Sequence, residues 1–427
     1  MNSASAAPRK MKVLFVATTF PVPPHAGAKV ALLETLRSIE ELCELHLLLP
    51  RTEENSEADV AILQQIIPQA QIHYYQPRSA QPATFEKYAA AARSAFSRHS
   101  YHASIWLDQN LREAAANLWG KYRFDIVHCE WLYPAIALQG MNLPLVVRTL
   151  DLHFMIMKDG VEEMPAGKRL RKTIWRLEAE RFRQFELGVF NNALVTIAVS
   201  TEDEAVLRRE GVSRLIRIPP PMKVPEQAPI ARVEKKACTA LFLCMLHAMV
   251  NRESSFIFTD EIWPRISEDV RAQVKVVFAG GQPDEGARRR AAECGIRIEA
   301  PLSDEQARKL YAEADIFVSP IKTGTGIKTK TLEAMANGKP VIGFRNSFRG
   351  VPVENGKHAL VADSNEEFAL LFEKLVTDPA LRHRIGKAAR DFISENFNPK
   401  ILGPRLIAAY SRAAELVPEK VAERLRG

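Results

Sequence analysis

Short apolar runs recur through the first half of the chain, at Lys12 to Ala17, Leu45 to Leu49, Asp125 to His128, Leu145 to Thr149 and Leu194 to Val199. Each run is continuous rather than alternating, and longer stretches with helical periodicity separate them. Continuous apolar strands joined by helices predict a parallel sheet covered on both faces. The rhythm pauses at Ile218 to Ala237, where four of the first eight residues are proline and charges follow, a composition that predicts a linker. It resumes with Ala240 to Cys244, Val274 to Gly280, Ile296 to Glu299, Asp315 to Ser319 and Pro340 to Gly343, so a second α/β domain of Rossmann type is expected. The expected layout is a tail over residues 1–10, a first domain over 11–220, a linker over 221–237, a second domain over 238–397 and a C-terminal helix over 398–427. In that last segment Ile401, Leu402, Leu406, Ile407 and Tyr410 fall at helical spacing. Pro404 is expected to kink it, and packing across the domain junction is the expected use of its apolar face.

Composition adds exclusions. A chain of 427 residues suits two domains, and 47% apolar with 26% charged residues is ordinary for a globular protein. The 58 basic residues against 51 acidic ones leave a net charge of +7, which suits a phosphorylated substrate or an anionic surface. The basic residues are spread along helices without a nucleic-acid motif, so no nucleic-acid partner is expected. Cys43, Cys129, Cys238, Cys244 and Cys294 are widely spaced and form no Cys-x-x-Cys pair, which predicts buried thiols in a reduced compartment rather than a zinc site. The apolar runs fall well short of the roughly 20 residues a membrane span needs. A cytoplasmic chain is expected, with a peripheral place on the inner membrane face as a further possibility.

Ligands of such sheets sit where strands end and helices begin. The stretch Ser319 to Gly343 has that form: a strand end, a loop with Gly324 and Gly326, then an apolar helix through Leu332, Met335 and Ala336. Glycines let successive N–H groups close on an anion, and the helix start adds positive potential, so phosphate is the natural occupant. Lys328 and Lys330 add charge at the same place. Glu333 follows on the first turns of the helix, where a carboxylate can accept the paired hydroxyls of a ribose. A bare Gly-x-Gly would be no more than a tight turn. Two glycines, two lysines and a glutamate in one strand-loop-helix predict a nucleotide site.

These residues carry a resemblance. The run GTGIKTKTLEAMANGKPVI, Gly324 to Ile342, resembles the donor-site signature of retaining family 4 glycosyltransferases with the GT-B fold, in its GxGIKxKxLEAMAxGxPV variant. Lys12 to Leu36 is similar to that family's opening strand and loop, and Lys168 to Leu207 to its helix pair. The resemblance spans roughly residues 11 to 415. It implies two Rossmann-like doubly wound parallel-sheet domains facing a central cleft. Glu333 would hold the donor ribose, and Gly324, Thr325, Gly326, Ile327 and Lys328 would face the diphosphate and the transferred sugar, with Lys330 alongside. His153 would lie near that sugar, and Gly27 in a loop bordering the acceptor and the donor phosphates.

Two departures accompany it. The position eight residues before Glu333, a glutamate in many family members, is Thr325 here. Where the family tends to have glycine, arginine and a downstream lysine, this chain has Cys244, Met245 and Val250. Lys328, Lys330 and Arg252 are the remaining candidates for neutralising the diphosphate.

The implied activity is transfer of a sugar from a nucleoside diphosphate sugar, UDP- or GDP-linked, with retention of configuration. The acceptor would be a glycan, a lipid-linked saccharide or a small molecule of bacterial cell-surface polysaccharide or glycoconjugate synthesis. No cofactor is expected beyond that co-substrate. The sequence holds no Asp-x-Asp triplet, so leaving-group charge is expected to meet positive side chains and helix dipoles rather than a metal. Acceptor contacts are expected from His25, Gly27, Glu130, Trp131 and Asp151 in the first domain. Trp131 and Tyr133 are each placed either to stack on a sugar ring or to lie buried beside a helix start. Residues Lys168 to Phe190 hold seven basic against three acidic residues, with Leu170, Ile174, Leu177, Phe185 and Val189 on one face. That face is expected to join the core, and the basic side to be the surface for any contact with an anionic membrane. Two other readings stand beside this one: a nucleotide-sugar epimerase, which shares the two-domain architecture without an acceptor, and a degenerate transferase kept as a binding partner.

Overall fold

The computed structural model describes residues 9–24, 27–78, 100–162, 164, 169–226 and 238–417. Two compact units organise them, one formed by Met1–Pro24, Thr35–Pro219 and Leu402–Gly427, the other by His25–Glu34 and Pro220–Ile401.

The first unit is built on seven strands: β1 (Lys12–Val16), β2 (Glu44–Pro50), β3 (Gln71–Tyr75), β4 (Ile126–Glu130), β5 (Leu145–Thr149), β6 (Val195–Ala198) and β7 (Leu215–Arg217). They lie in the order β3-β2-β1-β4-β5-β6-β7, every neighbour parallel. The order reverses between β1 and β4, the place where such sheets open a crevice at their carboxyl ends. Leu14, Val16, Leu48, Val127 and Val147 fill the core below, joined by Phe182 and Phe190 of the Arg169–Asn192 helix.

The second unit repeats the plan with β8 (Cys238–Cys244), β9 (Val274–Gly280), β10 (Arg297–Glu299), β11 (Ile316–Ser319), β12 (Val341–Phe344) and β13 (Leu360–Ala362). Their order is β10-β9-β8-β11-β12-β13, again all parallel, with the reversal between β8 and β11. Phe242, Phe258, Phe278, Phe368 and Phe372 make an aromatic centre for its core. Gly280 closes β9 at φ +128°, and a Cβ there would lie 1.9 Å from the Cys244 carbonyl oxygen, so β8 and β9 end in contact at the crevice.

One expectation needs correction. On the Arg169–Asn192 helix, Val189 is buried, but Ile174 and Leu177 are 57% and 58% exposed, because the core is reached only by the half that carries Phe182, Glu186 and Phe190. The expected apolar face therefore leaves the core at its N-terminal end. The C-terminal helix runs unbroken over Pro399–Glu415 with Pro404 inside it. From Leu402 on it packs within the first unit: a Cβ on Gly403 would lie 2.0 Å from the Ser38 carbonyl oxygen, and Tyr410 is wholly buried. Most of the linker, residues 227–237, lies outside the described residues, as does the tail over residues 1–8.

Candidate active site

The glycine loop of the second unit lies at the carboxyl end of β11, beside the end of β8. Gly324 and Gly326 hold φ of +92° and +72°, left-handed conformations that glycine adopts without strain. Asn346 braces the loop by donating to the carbonyls of Thr323 (2.5 Å) and Gly324 (3.1 Å). Ser347 donates to the Ser319 carbonyl, and the Ser319 and Thr331 hydroxyls meet at 3.1 Å, fixing the strand end to the first turn of the Thr329–Ala336 helix. No side chain among the described residues caps that helix. Its uncapped start opens on a cavity of about 170 Å³ lined by Cys244, Met245, Asn251, Ser319, Lys328 and Lys330, among others.

Glu333 is held from two sides. Tyr311, on the Asp304–Glu313 helix, donates its hydroxyl at 3.1 Å to Oε2, and Lys330 Nζ reaches both carboxylate oxygens at 3.1 and 2.8 Å. Burial pushes the Tyr311 phenol well above its ordinary value, with the Glu333 charge adding to the effect, so it stays a donor. Lys328 turns back on its own loop, donating to the carbonyls of Gly324 (3.2 Å), Thr325 (2.7 Å) and Gly326 (3.2 Å). Arg252 pairs with Asp284 at 3.2 Å. Val250, at the position of an expected lysine, packs on the loop, with its methyls 3.3 and 3.4 Å from where a Gly324 Cβ would stand. Gly27 belongs to this unit too, and a Cβ on it would lie 1.8 Å from Thr329 Oγ1. His25 lies outside the described residues.

In the first unit His153 opens the His153–Glu162 helix just after β5. The cap of that helix comes from another helix: Glu186, wholly buried, accepts the N–H groups of His153 (3.1 Å) and Phe154 (2.8 Å). Burial pushes the Glu186 carboxyl up to about 8 despite those two bonds. His153 Nε2 meets the Tyr133 hydroxyl at 2.7 Å. Burial, aided by the charge of His102, lowers the imidazole to about 4, so it is neutral at physiological pH. Tyr133 has one face covered, since Trp106 stacks on it with ring centroids 3.9 Å apart. Asp151 directs its carbonyl to the Thr149 hydroxyl at 2.6 Å.

Glu130 is sealed inside the unit. Its Oε2 meets His128 Nε2 at 2.8 Å and its Oε1 stands 3.7 Å from Arg148 Nη1, while His128 Nδ1 meets the Tyr410 hydroxyl at 2.9 Å and Arg148 donates to Thr35 at 2.8 Å. Burial opposes ionisation of Glu130, but the Arg148 guanidinium and the His128 hydrogen bond outweigh it and keep the carboxyl below its ordinary value. Its neighbour Trp131 is held at φ +76° and ψ 177°, a conformation that costs a bulky residue roughly 1–3 kcal/mol. Its buried indole N–H has no hydrogen-bond partner among the described residues. Sequence reasoning named Glu333, Lys330 and His153 but not Tyr311 or Glu186, which reach them from elements 22 and 33 residues away.

Residues 237–378 match the family model described as Glycosyl transferases group 1. The chain is a glycosyltransferase. Over 403 residues it is 22% identical to an uncharacterised 44.6 kDa protein in the cps region of Klebsiella pneumoniae, covering 91% of this chain and 97% of that one. Among solved structures, sucrose-phosphate synthase from Thermosynechococcus elongatus superposes with a TM-score of 0.66 at 16% identity, over 94% of this chain and 99% of that one. Anabaena Alr3699/HepE, solved with UDP-glucose, gives 0.62 at 15% identity, over 94% and 99%. At such identities the likeness is one of fold, and with the two parallel sheets it establishes the GT-B architecture of this glycosyltransferase.

Proposed function

We propose that this glycosyltransferase moves a sugar, with retention and without a metal, from a nucleoside diphosphate sugar to an acceptor in surface polysaccharide or glycoconjugate synthesis. The observation that carries the donor assignment is the Glu333 carboxylate, fixed by Tyr311 and Lys330 one helix turn from the uncapped, glycine-rich start of its helix. A carboxylate held so accepts the two hydroxyls of a ribose, and the N–H groups and helix dipole meet the diphosphate. The same groups stabilise charge as it grows on the leaving phosphate. With Lys328 bonded to the loop carbonyls, its contribution is to stiffen that loop and to keep a positive charge inside it. In this reading attack comes from the front face, and the departing phosphate helps to deprotonate the acceptor. In this reading His153, neutral and hydrogen-bonded to Tyr133, is assigned to the sugar in transfer. The cps-region relative and the UDP-glucose complex of the structural neighbour support the pathway and the donor class. Thermal shift with UDP, GDP, ADP and their sugars tests this. A uridine or guanosine nucleotide at 100 times its Kd should add about 2.7 kcal/mol of stability, and no shift with any nucleotide would contradict it.

The exposed Ile174 and Leu177 favour one further assignment, contact with an anionic membrane. Arg169, Arg171, Lys172 and Arg176 surround them, and no acidic residue occurs on the helix before Glu178. Apolar insertion plus charge attraction is the physics of peripheral membrane binding. Vesicles of anionic phospholipid should sediment the protein at low salt and release it at high salt, whereas Ile174→Ser/Leu177→Ser should remain in solution. Failure of the parent to bind at low salt would rule the contact out. No helix among the described residues is long and apolar enough to cross a membrane.

A further inference from the structure

A line of contacts runs from the buried Glu186 to the surface of the first unit. Glu186 caps the turn that carries His153, His153 Nε2 meets the Tyr133 hydroxyl at 2.7 Å, and Tyr133 is stacked by Trp106. Trp106 ends the short Tyr101–Ile105 helix, with its indole tilted 27° from the Tyr133 ring. It is 41% exposed, and the next residue, Leu107, is 49% exposed. An indole backed on one face by a fixed aromatic ring and otherwise partly exposed is a rigid apolar plate with little conformational entropy left to lose on binding. Its position is set by the same tyrosine that sets the imidazole, so whatever lies on the plate is held in register with His153.

A second feature of the same segment, independent of Trp106, also points to a ligand. Two residues before Tyr133, Trp131 sits at φ +76° with its indole N–H buried and without a partner among the described residues. Strain of this kind in a bulky residue, together with an orphaned donor, gathers at ligand sites. The turn after β4 thus carries strain and an unmet donor next to the aromatic stack.

We propose that Trp106 is a carbohydrate-stacking platform on which the apolar face of the acceptor's sugar ring lies, beside His153. The assignment rests on the glycosyl-transfer reading, which supplies the class of ligand: a pyranose presents a face of C–H groups that matches an indole, with hydroxyls at its rim for polar partners. Trp106 thereby becomes a specificity-determining residue, selecting acceptors with a flat C–H face.

Methyl glycosides of glucose, galactose, mannose and N-acetylglucosamine serve as probes, added at millimolar concentration to the full chain with saturating UDP or GDP and followed by saturation-transfer NMR. At least one glycoside should receive saturation through its ring protons from the parent protein. Trp106→Ala should weaken that binding by about tenfold, the loss typical of a truncated aromatic anchor, and Trp106→Phe should restore most of it. Nucleotide affinity should be the same in all three proteins. Equal glycoside binding by the parent and Trp106→Ala, or no glycoside binding by the parent, overturns the platform. Loss of nucleotide binding in the parent itself would instead overturn the glycosyl-transfer reading on which the platform rests.

Discussion

The Tyr311 hydroxyl donates to Glu333 Oε2 at 3.1 Å from the core of the second unit. The carboxylate assigned to the donor ribose is therefore oriented by a buried phenol. Removing that hydroxyl leaves Lys330 as the remaining side-chain donor to Glu333 among the described residues. Tyr311→Phe should keep the fold and weaken nucleotide binding by about tenfold, the worth of one hydrogen bond to a charged acceptor, as read by calorimetric titration.

Lys328 bonds three carbonyls of its own loop, so its removal should loosen Gly324–Gly326 rather than expose a buried charge. In Lys328→Met we expect faster amide exchange across residues 323–327, lower nucleotide affinity and a melting temperature close to the parent's, because water can replace the ammonium at partly exposed carbonyls. Hydrogen exchange by mass spectrometry checks this, and unchanged exchange in that peptide would refute it.

Glu186 and His153 give stability a pH dependence of opposite signs. For Glu186 the folded pKa of about 8 exceeds the ordinary 4.5, so the folded state holds a proton that the unfolded chain has lost, and stability falls as pH rises from about 4.5 to 8. For His153 the folded pKa of about 4 is below the ordinary 6.5, so stability rises across that interval and then levels. Above pH 6.5 only the Glu186 decline remains of the two. Denaturation of the parent should show stability decreasing between pH 6.5 and 8 by about 1–2 kcal/mol, and Glu186→Gln, which keeps an oxygen for both N–H groups, should flatten that decline.

Tyr410 anchors the C-terminal helix to His128, with both side chains wholly buried. Tyr410→Phe leaves His128 Nδ1 without its partner inside the core and should cost roughly 1–3 kcal/mol of unfolding free energy. Urea titration measures it. An unchanged midpoint would show that the helix does not depend on this bond.

Continuous apolar strands were legible in sequence because burial on both faces leaves little room for polar residues. Three strands escaped notice. The edge strand β3, Gln71–Tyr75, is polar and half exposed, and β7 and β13 are three residues each, too short to carry a period. The glycine loop, Lys330 and Glu333 were legible because phosphate and ribose chemistry is written in consecutive residues there. Tyr311 and Glu186 were not, since only the fold brings them to Glu333 and His153. Periodicity placed Ile174 and Leu177 on an apolar face correctly, but a period does not say whether anything covers that face. The same holds for Tyr133, offered either as a stacking or as a buried residue, whose ring is stacked by Trp106 at the end of a short helix that no pattern announces.

The central claim, that the Glu333 carboxylate holds the ribose of a donor nucleotide, is tested most directly by calorimetric titration of the parent and Glu333→Ala with UDP and GDP. The account predicts that one of the two binds the parent and that the substitution weakens it by about tenfold or more, the worth of a charged hydrogen-bonding partner. Equal affinity for the two proteins would contradict it.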